Sequence, residues 1–436
     1  MKHTMKKLLL IAYYFPPQSD TGSQRPHRIA RYLPCFGWDP VVLTTKASAS
    51  LSGEMRLVLA DYRDLLGTCK RLFGYDPGRG LREQLGDGSR GTTSDPRAES
   101  RLIDTLKQII AYPDEQRGWY RGAVRAASEF LGREKVDAIV STSYPVTAHL
   151  VGRTLKQRFG IPWVADLRDL WTQNHYCRKN GIVKFLERRL ELRTLGDADA
   201  LVTVSEPLAA ALGGLHEAKR VVCITNGYDP EEAALTGNPS KGAFTITYTG
   251  TLYGGRRDPS MLFGVLRELI DSGDLDPSVV RVRFIGPREP AVLRQTDGYG
   301  LKGVVTLHGP VTRQEALRLQ RESQLLLLLL WDHPQDSGVY TAKVFEYLAA
   351  RRPIVATGGT PGVVSELLEA TQAGHFASGR ESLRELILEY YQEYQNSGVV
   401  RWKGTGRVED YSYETIARQY AGLLEGLTNV ESGVTV

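Results

Sequence analysis

The chain has 436 residues, 42% hydrophobic and 24% charged, with a formal net charge of +5. That length exceeds one ordinary core and predicts two domains of similar size, while so small a charge excludes affinity for nucleic acid built on many phosphate contacts. Cys35, Cys69, Cys177 and Cys223 lie far apart, without CxxC or Cys/His spacing, which points to neither a zinc site nor a disulfide framework and suits a reducing, cytoplasmic compartment.

The chain opens on an apolar run that imitates a signal peptide but ends in Pro16-Pro17 without a small-residue cleavage site, so residues 7–13 are predicted to form a first buried strand. Further short apolar runs follow at 40–44, 136–141, 162–166, 200–204 and 221–225, separated by helix-length stretches. Runs of this kind, β-branched and not alternating, indicate a parallel sheet covered on both faces. Residues 74–100 break the series, being rich in Gly, Arg, Asp and Ser, and are predicted to be a mobile insertion.

Between 178 and 193, Lys179, Lys184, Arg188 and Arg189 interleave with Ile182, Val183, Phe185, Leu186 and Leu190. This stretch is read as a helix packing its apolar face in the domain, the alternative being peripheral contact with an anionic membrane.

After Asn226-Gly227 the series restarts, with runs at 244–249, 280–285, 304–307, 325–330 and 353–356. The six leucines at 325–330 are too few to span a bilayer and read as a strand buried on both faces. Residues 411–427 carry helical apolar spacing at Ile416, Tyr420, Leu423, Leu424 and Leu427. The expected architecture is α/β: two Rossmann-like, doubly wound parallel-sheet domains (1–230 and 231–405) facing a central cleft, with a C-terminal helix (406–436) packed back on them.

Ligands of such sheets bind at the carboxyl ends of the strands. A helix starting near Val339, after Gly338, places Lys343, Glu346 and Tyr347 on one face just beyond the leucine strand. Its amides can meet an anion, and Glu346 can accept hydrogen bonds from two vicinal hydroxyls, as on ribose; the alternative is a plain surface ion pair. Gly22 follows the first strand and would allow close backbone approach or serve as an ordinary turn glycine. Asp166, Arg168 and Asp169 end another strand; Arg168 would neutralise both acids, so no metal is expected, and acceptor contact by Asp166 or Asp169 stays open. A GxGxxG turn is lacking, which argues against a dinucleotide reductase.

Several segments, taken together and in order, resemble family 4 glycosyltransferases of the GT-B fold. They are Ala-Tyr-Tyr-Phe-Pro-Pro at 12–17 with Thr-Gly-Ser-Gln-Arg at 21–25, Ser-Thr-Ser-Tyr-Pro-Val-Thr-Ala-His at 141–149, and Ala-Asp-Leu-Arg-Asp-Leu-Trp at 165–171. Val-Ser-Glu at 204–206, Thr-Asn-Gly-Tyr-Asp at 225–229, Tyr-Thr-Gly-Thr-Leu at 248–252, Phe-Ile-Gly-Pro at 284–287 and the segment 338–357 complete the set. The resemblance implies a retaining, metal-independent hexosyl transfer from a UDP or GDP sugar, a co-substrate and not a cofactor, to a glycan, lipid-linked or small-molecule acceptor in glycan or cell-envelope synthesis. The expected location is cytoplasmic, with the inner membrane face as an option. The resemblance further implies that Glu346 holds ribose, that His149 touches the donor sugar, that Gly250 lines the donor site, and that Arg256 or Arg257 meets the diphosphate. Gly338 stands where the family usually has the first of two glutamates eight residues apart, Glu346 matching the second. A sugar-nucleotide epimerase or a non-catalytic sugar-nucleotide-binding protein on this fold are the alternatives.

Overall fold

The computed structural model describes residues 5–16, 21–45, 55–64, 112–176, 179–234 and 237–430; the insertion predicted at 74–100 lies outside them. Contacts divide the chain into two units, Met1–Ile224 with Ala417–Val436, and Thr225–Ile416.

The first unit is built on seven parallel strands, β1 (Lys6–Ile11), β2 (Trp38–Thr44), β3 (Arg56–Leu59), β4 (Ala138–Ser143), β5 (Trp163–Leu167), β6 (Ala200–Thr203) and β7 (Val221–Cys223), in the order β3-β2-β1-β4-β5-β6-β7. Leu9 of β1 sits between Val41 and Ile139 in register, so the most apolar run takes the centre. The order reverses between β1 and β4, which opens a crevice at their carboxyl ends. Helices α1 (Thr21–Tyr32), α2 (Tyr120–Leu131), α3 (Thr147–Phe159), α4 (Gly181–Leu195) and α5 (Glu206–Leu215) connect the strands. Leu9, Ile11, Ile139, Trp163, Val151 and Leu155 belong to one buried cluster.

The second unit has six parallel strands, β8 (Phe244–Thr249), β9 (Val280–Ile285), β10 (Val305–Gly309), β11 (Leu325–Leu329), β12 (Ile354–Thr357) and β13 (Gly374–Ala377), ordered β10-β9-β8-β11-β12-β13. Its helices are α6 (Pro230–Ala234), α7 (Ser260–Asp271), α8 (Pro290–Gly298), α9 (Arg313–Arg321), α10 (Ala342–Ala350), α11 (Val363–Thr371) and α12 (Arg380–Ser397). The leucine strand explains its own composition. Leu325, Leu327 and Leu329 enter the cluster of Phe244, Phe263 and Leu266, while Leu326 and Leu328 enter that of Val344, Phe345 and Leu348. A strand covered on both faces has no position where a polar residue would be solvated.

The last helix, α13 (Tyr413–Val430), starts in the second unit and ends in the first, where Lys6 Nζ donates to Thr428 Oγ1 at 2.9 Å. Among the described residues no helix is long and apolar enough to cross a membrane.

Candidate active site

In the second unit the carboxyl ends of β8 and β9 meet the starts of α9 and α10 around a cavity of about 300 Å³. Its walls include Thr249, Gly250, Ile285, Gly286, Pro310, Val311, Arg313, Lys343 and Glu346. The two strand-end loops touch closely: a Cβ on Gly286, whose φ is +151°, would stand 2.2 Å from the carbonyl oxygen of Gly250. Only glycine allows that approach. Glu289 braces the loop after β8 by accepting from the N–H groups of Leu252 (3.0 Å) and Gly254 (3.1 Å).

Helix α10 begins three residues later than predicted. Thr341 is its N-cap and accepts from Lys343 N, while Gly338 and Val339 belong to a 3-10 turn and its end (Pro334–Gly338). The Val339 N–H donates to Asp336 O at 2.9 Å, so that amide is spent inside the turn and is not offered to an anion. Tyr347, fully buried, accepts at Oη from Thr249 N at 3.0 Å and pins the helix to the end of β8. Its part in the face shared with Lys343 and Glu346 is thus to hold position.

Lys343 and Glu346 both line the cavity, with Nζ to Oε2 at 2.8 Å. Arg313, at the start of α9, donates from Nη1 to Glu346 Oε1 at 3.2 Å and from Nη2 to Glu232 at 2.9 Å. Burial pushes the Glu346 carboxyl up, but Lys343 and Arg313 outweigh it and hold the group below its usual value. The result is an ionised carboxylate at the cavity wall. Each of its oxygens keeps a lone pair beyond the one given to its cation.

Arg257 lies at the start of α10, with Nη2 to Thr341 Oγ1 at 3.5 Å, Nη1 to Tyr248 Oη at 3.4 Å, and its guanidinium 4.9 Å from the centre of the Tyr253 ring. Arg256 is exposed and stacks over Trp331 at 4.5 Å. Of the two, Arg257 shares the neighbourhood of Lys343.

The residues singled out in the first unit separate into two groups. Gly22 lies in the first turn of α1, and a Cβ there would make only ordinary contacts, 3.5 Å from Tyr14 and 3.8 Å from Arg168. Asp169, partly exposed, receives Arg168 at 3.4 Å. Asp166 differs from its expected setting. It is 1% exposed and neutralised by Arg25 and not Arg168, with Nε to Oδ2 at 3.1 Å and Nη2 to Oδ1 at 3.0 Å. Thr142 Oγ1 donates to it at 2.8 Å. A carboxylate so enclosed has no face for an acceptor hydroxyl.

His149 is also interior, with no exposed surface, where the sequence reading set it against the donor sugar. Its Nδ1 is 2.8 Å from Ser141 Oγ, which in turn accepts from Trp163 Nε1 at 2.8 Å. In this geometry it is a core residue joining α3 to β4 and β5. Burial lowers its pKa from the ordinary 6.5 to about 4, against the opposing pull of Asp166. The unfolded chain therefore binds more protons between those values, and stability is full above about pH 6.5 and lost as pH falls toward about 4. The full difference is about 3 kcal/mol. Denaturation of His149→Gln, which does not titrate, should show a flatter pH dependence over that window; an identical slope would count against the buried neutral ring.

Arg313 and Glu289 were not singled out from the sequence, and Gly286 and Arg25 stood only within the family-like segments, with no role given to them. Arg313 had a signal, since Thr312 and Glu315 have the spacing of a helix-capping box that marks it as the first residue of a helix.

Two parallel doubly wound units, one with an ionised carboxylate and a lysine at its strand-end cavity, define a nucleotide-binding type of α/β protein. Residues 21–227 match the model of the glycosyl transferase 4-like domain, and the chain has the GT-B fold. Solved structures covering 97–98% of the chain include a glycosyltransferase from Rickettsia africae (TM-score 0.62, 12% identity, 98% of that chain), HepE of Anabaena with UDP and glucose (0.61, 15%, 100%) and a sucrose-phosphate synthase from Thermosynechococcus elongatus (0.60, 14%, 100%). At such identities the likeness establishes fold alone. No curated protein matches the chain in sequence.

Proposed function

We propose that this protein is a glycosyltransferase that moves a hexosyl group from a uridine or guanosine diphosphate sugar to an acceptor hydroxyl, with retention at the anomeric carbon. The observation that carries the reading is Glu346, an ionised carboxylate at the wall of a cavity floored by Gly250 and Gly286. Ribose hydroxyls donate to Glu346, and the apolar walls at Ile285 and Val311 receive the base. The diphosphate lies toward the start of α10, where Lys343 and Arg257 offset the charge that grows as the glycosidic bond breaks. These cations take the place of a metal, and the sugar nucleotide is the one co-substrate. HepE of Anabaena was solved with UDP-glucose, which favours a uridine donor here. The acceptor is a glycan, a lipid-linked intermediate or a small molecule, as in the building of cell-envelope polysaccharide.

A panel of nucleoside diphosphates and their sugars tests the reading. The matching donor should raise the melting temperature by mass action, and product analysis should show transfer or slow hydrolysis. Binding without turnover, or conversion to an epimer, would overturn the transferase assignment.

Arg257→Ala should lower kcat about 100-fold, as expected for loss of a group that stabilises developing charge. Arg256→Ala, on the exposed side, should change it by less than about three-fold. Equal effects from the two would remove the distinction drawn between them.

A further inference from the structure

Helix α4 departs from a normal surface helix by burying its acids and exposing four of its large apolar residues. The side turned into the first unit carries Val183, Glu187, Glu191, Thr194 and Leu195, all buried. Outward stand Ile182 (75% exposed), Phe185 (58%), Leu186 (47%) and Leu192 (39%), spaced along one stripe. Such a helix ordinarily buries its apolar residues and solvates its acids. Here both acids have partners inside, although Glu191 Oε1 accepts no hydrogen bond. Lys179 pairs with Glu187, and Thr172 donates to Glu191 through both its hydroxyl and its N–H, with His216 Nε2 at 3.8 Å from the same carboxylate.

This arrangement sorts charge as well. Lys184, Arg188, Arg189 and Arg193 are all exposed, and α4 shows no acid beside them because Glu187 and Glu191 are turned inward. The Arg189 guanidinium stands 5.6 Å from the centre of the Phe185 ring, so base and apolar group form one amphipathic surface. The packed-face reading of this stretch is therefore corrected in part: Val183 and Leu195 are buried and Leu190 packs on the core, while Ile182, Phe185, Leu186 and Leu192 face solvent.

We propose that α4 docks the protein on an anionic lipid bilayer, with Ile182, Phe185, Leu186 and Leu192 entering the boundary of the acyl chains while Lys184, Arg188, Arg189 and Arg193 meet lipid phosphates. Long basic side chains suit that position, since their stems lie along apolar surface and their heads reach the phosphate layer. Charge decides the occupant. A second copy of the chain would bring four bases against four bases across a two-fold axis, whereas an anionic surface attracts all of them, each worth roughly five-fold in binding. The inference stands apart from the donor reading, which concerns the other unit.

Co-sedimentation of the full chain with vesicles tests it. Wild type should pellet with phosphatidylcholine vesicles containing about a third phosphatidylglycerol and not with phosphatidylcholine alone, and added salt should release it. Arg188→Ala/Arg189→Ala should weaken binding about 25-fold, two bases at five-fold each. Phe185→Ser/Leu186→Ser should weaken it at least about ten-fold. Both variants should keep the wild-type melting temperature, which separates lost binding from lost fold. Equal retention on the two vesicle types, or folded variants that bind like wild type, would overturn the proposal. So would a dimer in light scattering that Phe185→Ser/Leu186→Ser dissociates, since the face would then be an interface between copies.

Discussion

Replacing Glu346 by alanine is expected to weaken binding of the donor nucleotide by about 2–4 kcal/mol, roughly 30- to 1000-fold, because two hydrogen bonds to a charged acceptor are lost at once. The fold should survive. Glu346 keeps 19% of its side chain exposed, and its partners Lys343 and Arg313 keep 26% and 46%, so water can solvate the cations left behind. A stability loss near 1 kcal/mol is the expected scale for so accessible a cluster. Glu346→Gln should fall between, since the amide oxygen still accepts but the charge is gone. Calorimetry with the nucleoside diphosphate decides the matter: an unchanged Kd for Glu346→Ala removes the ribose assignment. The pH profile gives a second readout. As Lys343 and Arg313 hold the carboxyl below its usual value, binding that depends on its ionised form should persist while pH falls through the ordinary carboxylate range, and fail only below it.

The pattern of success and failure in reading the sequence has physical causes. Leu325–Leu329 was recognisable because a strand covered on both faces needs apolar residues at every position, which no other short element demands. The nearness of Lys343 and Glu346 was equally legible, being fixed by helical spacing alone. Strands β3 and β13 were missed. Arg56–Leu59 is short and partly exposed at the sheet edge, and Gly374–Ala377 has little β-forming content; each is a strand because a neighbour pairs with it. Side-chain partners distant in sequence were the hardest. Nothing near Asp166 names Arg25, which lies 141 positions away, and nothing near Glu346 names Arg313, 33 positions away. The facing of α4 was misread in part, for a related reason. Periodicity finds its two sides, but which side turns inward depends on Lys179, Thr172 and His216 being there to receive Glu187 and Glu191.

Removing either partner of the Arg25–Asp166 pair should destabilise the first unit by about 3–5 kcal/mol, since each deletion strands the opposite charge in the interior. The pair is 2% and 1% exposed. It also fastens three parts of the unit, for Arg25 Nη2 donates to Ile224 O and to Tyr420 Oη, both at 2.9 Å, which brings α1, the end of β7 and α13 onto one cluster. Burial pushes Asp166 up, but Arg25, Thr142 and Tyr420 together hold it below its ordinary value. Its contribution is therefore present above the usual carboxylate pKa and is lost as pH falls through the depressed folded value. Chemical denaturation of Arg25→Ala and Asp166→Ala should show the loss. The double replacement Arg25→Met/Asp166→Leu should recover much of it, because two apolar groups of similar volume leave no stranded charge. An acid working on the acceptor gives the reverse pattern: Asp166→Ala would keep wild-type stability and lose turnover, and the double variant would be no better. Stability and kcat per folded molecule, measured on the same three proteins, thus separate a positioning pair from a catalytic one.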